Sequence, residues 1–109
     1  ALVGFSQGTM MALHVGPRRA RQLAGIVGYS GLLADADALA SELRSKPPVL
    51  LVHGALDQMV PVASMRIAQR KLEELGFDVS SHVSPDVYHS VDQTGLELGG
   101  AFVRRVLMP

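Results

Sequence analysis

The stretch Ala1-Leu2-Val3-Gly4-Phe5-Ser6-Gln7-Gly8 decides the fold. Its first five residues form a short, continuous apolar run, the pattern of a strand buried on both faces of a parallel sheet. A G-x-S-x-G sequence, Gly4 to Gly8, grows out of that run, and a helix is expected to begin at Gln7. A sharp strand-to-helix turn at Ser6 forces the serine into an unfavourable backbone geometry. Glycines two residues to either side let the neighbouring chain pack closely enough to tolerate it. The hydroxyl should then stand exposed above the sheet. The helix directs its free amides and positive dipole end at the same point, so the Gln7 N–H can donate to a developing oxyanion.

Outward from this turn, strands and helices alternate. The first helix is expected from Gln7 to about Val15, mostly buried through Met10, Met11, Leu13 and His14, and stopped by Gly16-Pro17. Ala24 to Tyr29 reads as a second buried strand. Leu32 to Ser45 reads as an irregular or partly helical excursion, ended by Lys46-Pro47-Pro48. Val49-Leu50-Leu51-Val52-His53 is the third strand and Gly54 ends it. Pro61 suits the first turn of the next helix, where Met65, Ala68, Leu72 and Leu75 recur at helical spacing and Gly76 supplies a left-handed stop. Phe77 to Val83 alternates as a fourth strand. A last helix is expected from about Gln93 to Leu107, with Leu96, Val103, Val106 and Leu107 facing inward. Strands alternating with helices in this way imply βαβ units, hence an α/β fold with a mostly parallel sheet and helices on both faces. Because Ala1 is not methionine and the chain opens directly in an apolar strand, residues 1–109 read as the C-terminal part of a single domain whose N-terminal half is missing.

A serine is a weak nucleophile until a base takes its proton, so a histidine and a carboxylate are needed at the same end of the sheet. In open parallel sheets, that is the carboxyl end of the strands. Asp57 follows the third strand in a compact turn between Gly54 and Pro61, and His89 follows the fourth strand before the last helix. The order Ser6, Asp57, His89 is that of the α/β-hydrolase triad. Among the other histidines, His14 belongs to a helix and His82 to a strand. His53 ends a strand beneath the Asp57 turn, where a structural hydrogen bond is expected. Among the carboxylates, Asp35 is the rival acid, since it follows the second strand, while Asp37, Asp86 and Asp92 are less well placed. In the triad, Asp57 would fix the tautomer of His89 and stabilise the imidazolium formed when Ser6 attacks a carbonyl.

Composition narrows the partners. Ten Lys plus Arg balance ten Asp plus Glu, so there is no electrostatic footprint for nucleic acid or an anionic membrane. The absence of cysteine excludes disulfides, thiolate metal sites and a cysteine nucleophile, and accords with a cytoplasmic protein. No apolar run approaches the roughly 18 residues of a membrane span, so stable membrane insertion is not expected. Met10, Leu32 and Met59 are candidate lining for an acyl groove, together with Met11 and Leu33. Plain core packing is the competing reading of the same residues.

Four stretches, in order along nearly the whole chain, carry a family resemblance. They are Gly4-Phe5-Ser6-Gln7-Gly8, Leu23-Ala24-Gly25-Ile26-Val27 with Ser30-Gly31, Pro48 to Gly54 with Asp57 and Val60-Pro61, and His89-Ser90-Val91. Together they resemble the phospholipase/carboxylesterase family of α/β-hydrolases, which includes the acyl-protein thioesterases. The resemblance implies a Ser6–Asp57–His89 triad, an oxyanion amide from Gln7, a second oxyanion donor from a loop upstream of Ala1, and ester, lysophospholipid or thioester substrates. No cofactor or metal is implied. The chain departs from the family in carrying Thr9 where glycine is frequent, and Asp86-Val87-Tyr88 where a glycine-containing turn usually precedes the histidine. Two alternatives stand beside this reading. One is a peptidase or dienelactone-hydrolase relative with the same triad order; the other is a truncated, catalytically incomplete fragment that would expose an apolar sheet edge.

Overall fold

The computed structural model describes residues 1–108. Four strands, β1 (Leu2–Phe5), β2 (Ile26–Tyr29), β3 (Val49–Gly54) and β4 (Val79–Ser84), form one fully parallel sheet in the order β1-β2-β3-β4. The helices are α1 (Gln7–Val15), α2 (Ala36–Glu42), α3 (Val62–Glu74) and α4 (Gln93–Leu107), with one 3₁₀ turn at Gly16–Arg18. Consecutive strands are neighbours because each crossover helix returns the chain by one position.

Side-chain alternation along the strands divides the core in two. In register, Leu2, Ile26, Val49 and Val79 share one face. There Leu13 of α1, Leu39 of α2, and Met65, Ala68 and Leu72 of α3 pack with Ile26, Val49 and Leu51. On the opposite face Val27, Tyr29, Leu50 and Val52 pack against Phe102 of α4. Helices therefore cover both faces, as the alternating pattern implied. The central strands β2 and β3 are buried throughout, which explains their near-continuous apolar sequences.

The first strand is not buried on both faces, contrary to what its apolar run alone suggests. It is an edge of this sheet, with Val3 61% and Phe5 44% exposed and only Gly4 buried. The helix after it is also more open than its sequence suggested, since Met11, His14 and Val15 are exposed and only Thr9, Ala12 and Leu13 are buried. Both differences have one physical origin: β1 is an edge strand, and the space beside it is only partly filled by its neighbours. One open groove is lined by Leu2, Val3, Gly8, Met11, Ala12 and Val15. The other is lined by Val3, Val27, Tyr29, Leu96, Gly100 and Val103 around Gly99.

Further differences lie in the helices. The excursion after β2 contains α2, capped by Asp35, whose carboxylate accepts from the Ala38 amide at 3.2 Å. Pro61 stands just before α3 as its cap rather than within its first turn. Gly76, at φ 93°, closes α3: its amide bonds the Glu73 carbonyl and the Phe77 amide bonds that of Leu72, a left-handed glycine stop. In α4 the buried face is Gly95, Gly99 and Phe102, while Leu96 and Leu107 are more than half exposed and only Val103 and Val106 of the expected set reach the core. The glycines are what bring α4 onto the sheet. A Cβ at Gly99 would collide with the Tyr29 hydroxyl, which donates to the Gly95 carbonyl at 3.0 Å.

Candidate active site

Ser6 lies between β1 and α1 at φ 56°, ψ −113°, a left-handed conformation that an L residue adopts only under constraint. The constraint is visible on both sides. The Ser6 amide and the Thr9 hydroxyl both donate to the Tyr29 carbonyl, at 2.8 Å and 2.7 Å, fastening the turn to the end of β2. Gly4 is needed because a Cβ there would lie 2.5 Å from the Gly8 carbonyl carbon. Gly8 has no such requirement of its own, since a Cβ at that position would meet open space. Thr9 is buried, and Gly28 and Gly31 leave room for its methyl group and Cβ.

The Ser6 hydroxyl lies 3.0 Å from His89 Nε2, and His89 Nδ1 lies 2.7 Å from Asp57 Oδ2. Asp57 can only accept when ionised, so Nδ1 carries the ring proton and Nε2 presents its lone pair to the serine O–H. The other Asp57 oxygen, Oδ1, accepts from the amides of Met59 at 2.9 Å and Val60 at 2.8 Å. Burial pushes the Asp57 carboxyl up, but the Val60 amide, the His89 imidazole and the Met59 amide outweigh it and hold the group below the ordinary carboxylate range. The anion is thus kept charged in a site where its side chain is fully buried. The ring of Phe5 tilts against His89, with centroids 5.0 Å apart.

These side chains come from the ends of three different strands, and His89 arrives from the far edge. Its loop crosses the sheet end in steps. Ser84, at the end of β4, donates its hydroxyl to Asp92 Oδ1 at 3.0 Å, and Asp92 caps α4 through the Gly95 amide at 2.8 Å. Over β3, the Val87 carbonyl accepts from the Leu56 amide at 2.9 Å, and a Cβ on Gly54 would collide with the carbonyls of Val87 and Tyr88. Over β2, the Ser90 carbonyl lies 3.5 Å from the Ser30 hydroxyl.

The remaining candidates separate clearly. Asp35 serves as the cap of α2 and makes no bond to His89. Gln7, the first residue of α1, follows Ser6 directly. His14 is exposed on α1, and His82 lines a groove between β4 and α4 with Phe102 and Arg105. His53 is buried and bonds the Val60 carbonyl at 2.7 Å. Of the groove candidates, Met10 and Leu32 are half-buried, Met59 is 76% exposed beside Asp57, and Leu33 packs against the core. Sequence reasoning missed the amides of Met59 and Val60, the Phe5 ring, and the room left by Gly54. The only available signals were the short Asp57-to-Pro61 turn and a glycine at a strand end. Among the described residues, no group of three or more His, Asp or Glu side chains is arranged to hold a metal. No helix among them is long and apolar enough to cross a membrane.

The chain resembles known proteins along its whole length. It is 33% identical over 113 residues to an acyl-protein thioesterase 1 of Gibberella zeae, covering 99% of this chain and 48% of that protein. It is 33% identical over 98 residues to a lysophospholipase-like protein 1 of Mus musculus, covering 86% of this chain and 41% of that one. The crystal structure of the esterase PE8 superposes with a TM-score of 0.93 at 46% identity, over 95% of this chain and 48% of that one. The chain therefore spans about half the length of the curated relatives it matches. The family model for phospholipases/carboxylesterases matches residues 1–107, and the chain belongs to that family of α/β-hydrolases.

Proposed function

We propose that this chain supplies the triad-bearing, C-terminal half of a serine hydrolase that cleaves carboxylic esters or thioesters of small molecules. The observation that carries the reading is the relay from Ser6 Oγ to His89 Nε2 at 3.0 Å and from His89 Nδ1 to Asp57 Oδ2 at 2.7 Å, placed at a strained strand-to-helix serine. The names of the relatives, acyl-protein thioesterase, lysophospholipase-like protein and esterase, point to the same substrate class.

In the proposed reaction Ser6 Oγ attacks the substrate carbonyl carbon as its proton passes to His89 Nε2, and the carbonyl oxygen takes up the negative charge. The Gln7 amide, at the N-terminus of α1, is positioned by sequence to donate to that oxyanion. Collapse of the tetrahedral intermediate breaks the bond to the alkoxide or thiolate, which takes the proton from His89, leaving an acyl-Ser6 ester. Water then repeats the sequence: it gives a proton to His89 as its oxygen attacks, and Ser6 regains that proton as the acid leaves. Asp57 stays ionised throughout and stabilises the imidazolium.

The domain proposal rests on β1. Its exposed Val3 and Phe5, with an apolar groove on either face, suit coverage by further elements of the same domain, including a second oxyanion donor. The setting proposed is cytoplasmic, in line with a chain that has no cysteine. The decisive experiment compares the complete protein with its Ser6→Ala variant on an activated short-chain ester. Turnover should vanish, and retention of more than a few per cent would refute the assignment. A monodisperse, cooperatively melting and esterase-active preparation of the 109 residues alone would refute the half-domain proposal.

A further inference from the structure

His53 takes no part in the proposed proton relay, yet its side chain is 1% exposed and lies directly behind the carboxylate. Its Nε2 faces two acceptors, the Val60 carbonyl at 2.7 Å and Asp57 Oδ2 at 3.5 Å. Neither can donate, so Nε2 carries the proton and Nδ1 is a bare lone pair. That Nδ1 is buried without a hydrogen-bond partner.

From this geometry we propose that His53 is a positioning residue for Asp57, and through it for His89. Two routes converge on the carboxylate. Residue Val60 is gripped on both sides: its carbonyl accepts from His53, and its amide donates to Asp57 Oδ1 at 2.8 Å. The same imidazole N–H also presents its positive end to Oδ2, the oxygen that orients His89. Without His53 the Val60 carbonyl would lose its partner, and the turn whose amides hold Asp57 Oδ1 would be free to shift. A displacement of about 1 Å in a catalytic group can lower a rate by roughly 100-fold.

The proposal rests on the Ser6–His89–Asp57 reading, and the experiment separates the two. In the complete protein, kcat and KM for an activated ester are measured for wild type, Ser6→Ala, His53→Gln, His53→Asn and His53→Leu. Gln places an amide N–H as many bonds from Cβ as the imidazole Nε2, whereas Asn falls one bond short and Leu has no donor. His53→Asn and His53→Leu should lose about 10- to 100-fold in kcat with KM changed less than about threefold, and His53→Gln should stay within about fivefold of wild type. A merely structural role would lower melting temperature without splitting kcat from KM and without rescue by Gln. If Ser6→Ala keeps its turnover, the triad reading itself fails. If Ser6→Ala is inactive while His53→Asn and His53→Leu keep wild-type kcat, or a folded His53→Gln is as slow as His53→Leu, the positioning role is overturned. Should the variants fail to fold, ¹⁵N NMR of the wild-type protein still decides: a protonated Nε2 with a bare Nδ1 is required, and an Nδ1–H tautomer would overturn the proposal.

Discussion

Asp57→Asn offers a sharp test of the site, because the surroundings leave the new amide only one orientation. In the wild type Oδ1 accepts from two backbone amides, Met59 N at 2.9 Å and Val60 N at 2.8 Å. The asparagine carbonyl must take that place, since turning the NH₂ toward two N–H groups would leave buried donors facing one another. An unmet buried donor is unfavourable by about 1–3 kcal/mol, and the Val60 amide is buried, so the flipped state is disfavoured by at least that amount. The NH₂ is thereby aimed at His89 Nδ1, which now has to accept. The ring proton moves to Nε2, and the atom 3.0 Å from Ser6 Oγ becomes a donor instead of a base.

The variant therefore loses both the correct tautomer and the charge that stabilises the imidazolium. The expected loss is on the order of 10⁴-fold in kcat, about 5 kcal/mol of transition-state stabilisation. KM should change only a fewfold, because Asp57 touches no part of the substrate in this scheme. The measurement is steady-state hydrolysis of an activated ester by the complete protein, with circular dichroism to verify folding and each rate normalised to folded enzyme. A folded Asp57→Asn enzyme within tenfold of wild-type kcat would refute the assignment of Asp57 as orienting acid.

Gly54→Ala should lower kcat by at least about tenfold while the protein remains folded, because the new Cβ would collide with the carbonyls of Val87 and Tyr88 and push the His89 loop away from Ser6. Unchanged kinetics would show that the loop is not seated on Gly54. Asp92 tests the other end of the loop by pH. The Gly95 amide, opposed by burial and aided by the Ser84 hydroxyl, holds its carboxyl below the ordinary carboxylate range. A depressed value stabilises the fold above the unfolded carboxylate pKa of about 3.9, and that contribution is lost as pH falls through the folded value. Asn caps a helix as well as Asp does, so Asp92→Asn isolates the charge. Its Tm deficit should be present at pH 6 and shrink below about pH 4, and a deficit independent of pH would contradict this origin.

Much of this architecture was legible because it depends on local chemistry. Three of the strands are short apolar runs and the fourth alternates, and Ser6, Asp57 and His89 follow three of the four in the order a parallel sheet requires. What was not legible depends on contacts between distant segments. Bulk points to Leu96, Val103, Val106 and Leu107 as the inward face of α4, but Gly95 and Gly99 decide how it packs by letting the helix approach Tyr29. Apolar periodicity gives no weight to a glycine that serves as a contact. The excursion after β2 reads as irregular or partly helical, and the bounds of its helix are hidden for a similar reason. Its only buried residue is Leu39, and its start is set by Asp35 in a left-handed conformation, φ 48°. The exposure of β1 follows from its position at the sheet edge.

The same distinction explains why the base is carried by a loop. Neighbouring strands lie about 4.8 Å apart, so β4 and β1, three spacings from each other, are separated by roughly 14 Å. No side chain on β4 spans that distance to Ser6. Residues 85–91 must carry His89 back across the ends of β3 and β2, and an unsupported crossing would leave the imidazole mobile. The Ser84–Asp92 bond closes the base of the loop, Gly54 and the Leu56 amide seat it on β3, and Ser30 meets Ser90 over β2. Each support lies at the carboxyl end of a strand, where the sheet already holds it fixed. The relay is consequently preorganised by the order of the strands: Ser6 is fastened to β2, Asp57 to the turn after β3, and the loop from β4 lies across both. On this argument, substitutions at Gly54, Ser30 and Ser84 should act through the position of His89, lowering kcat well before they unfold the sheet.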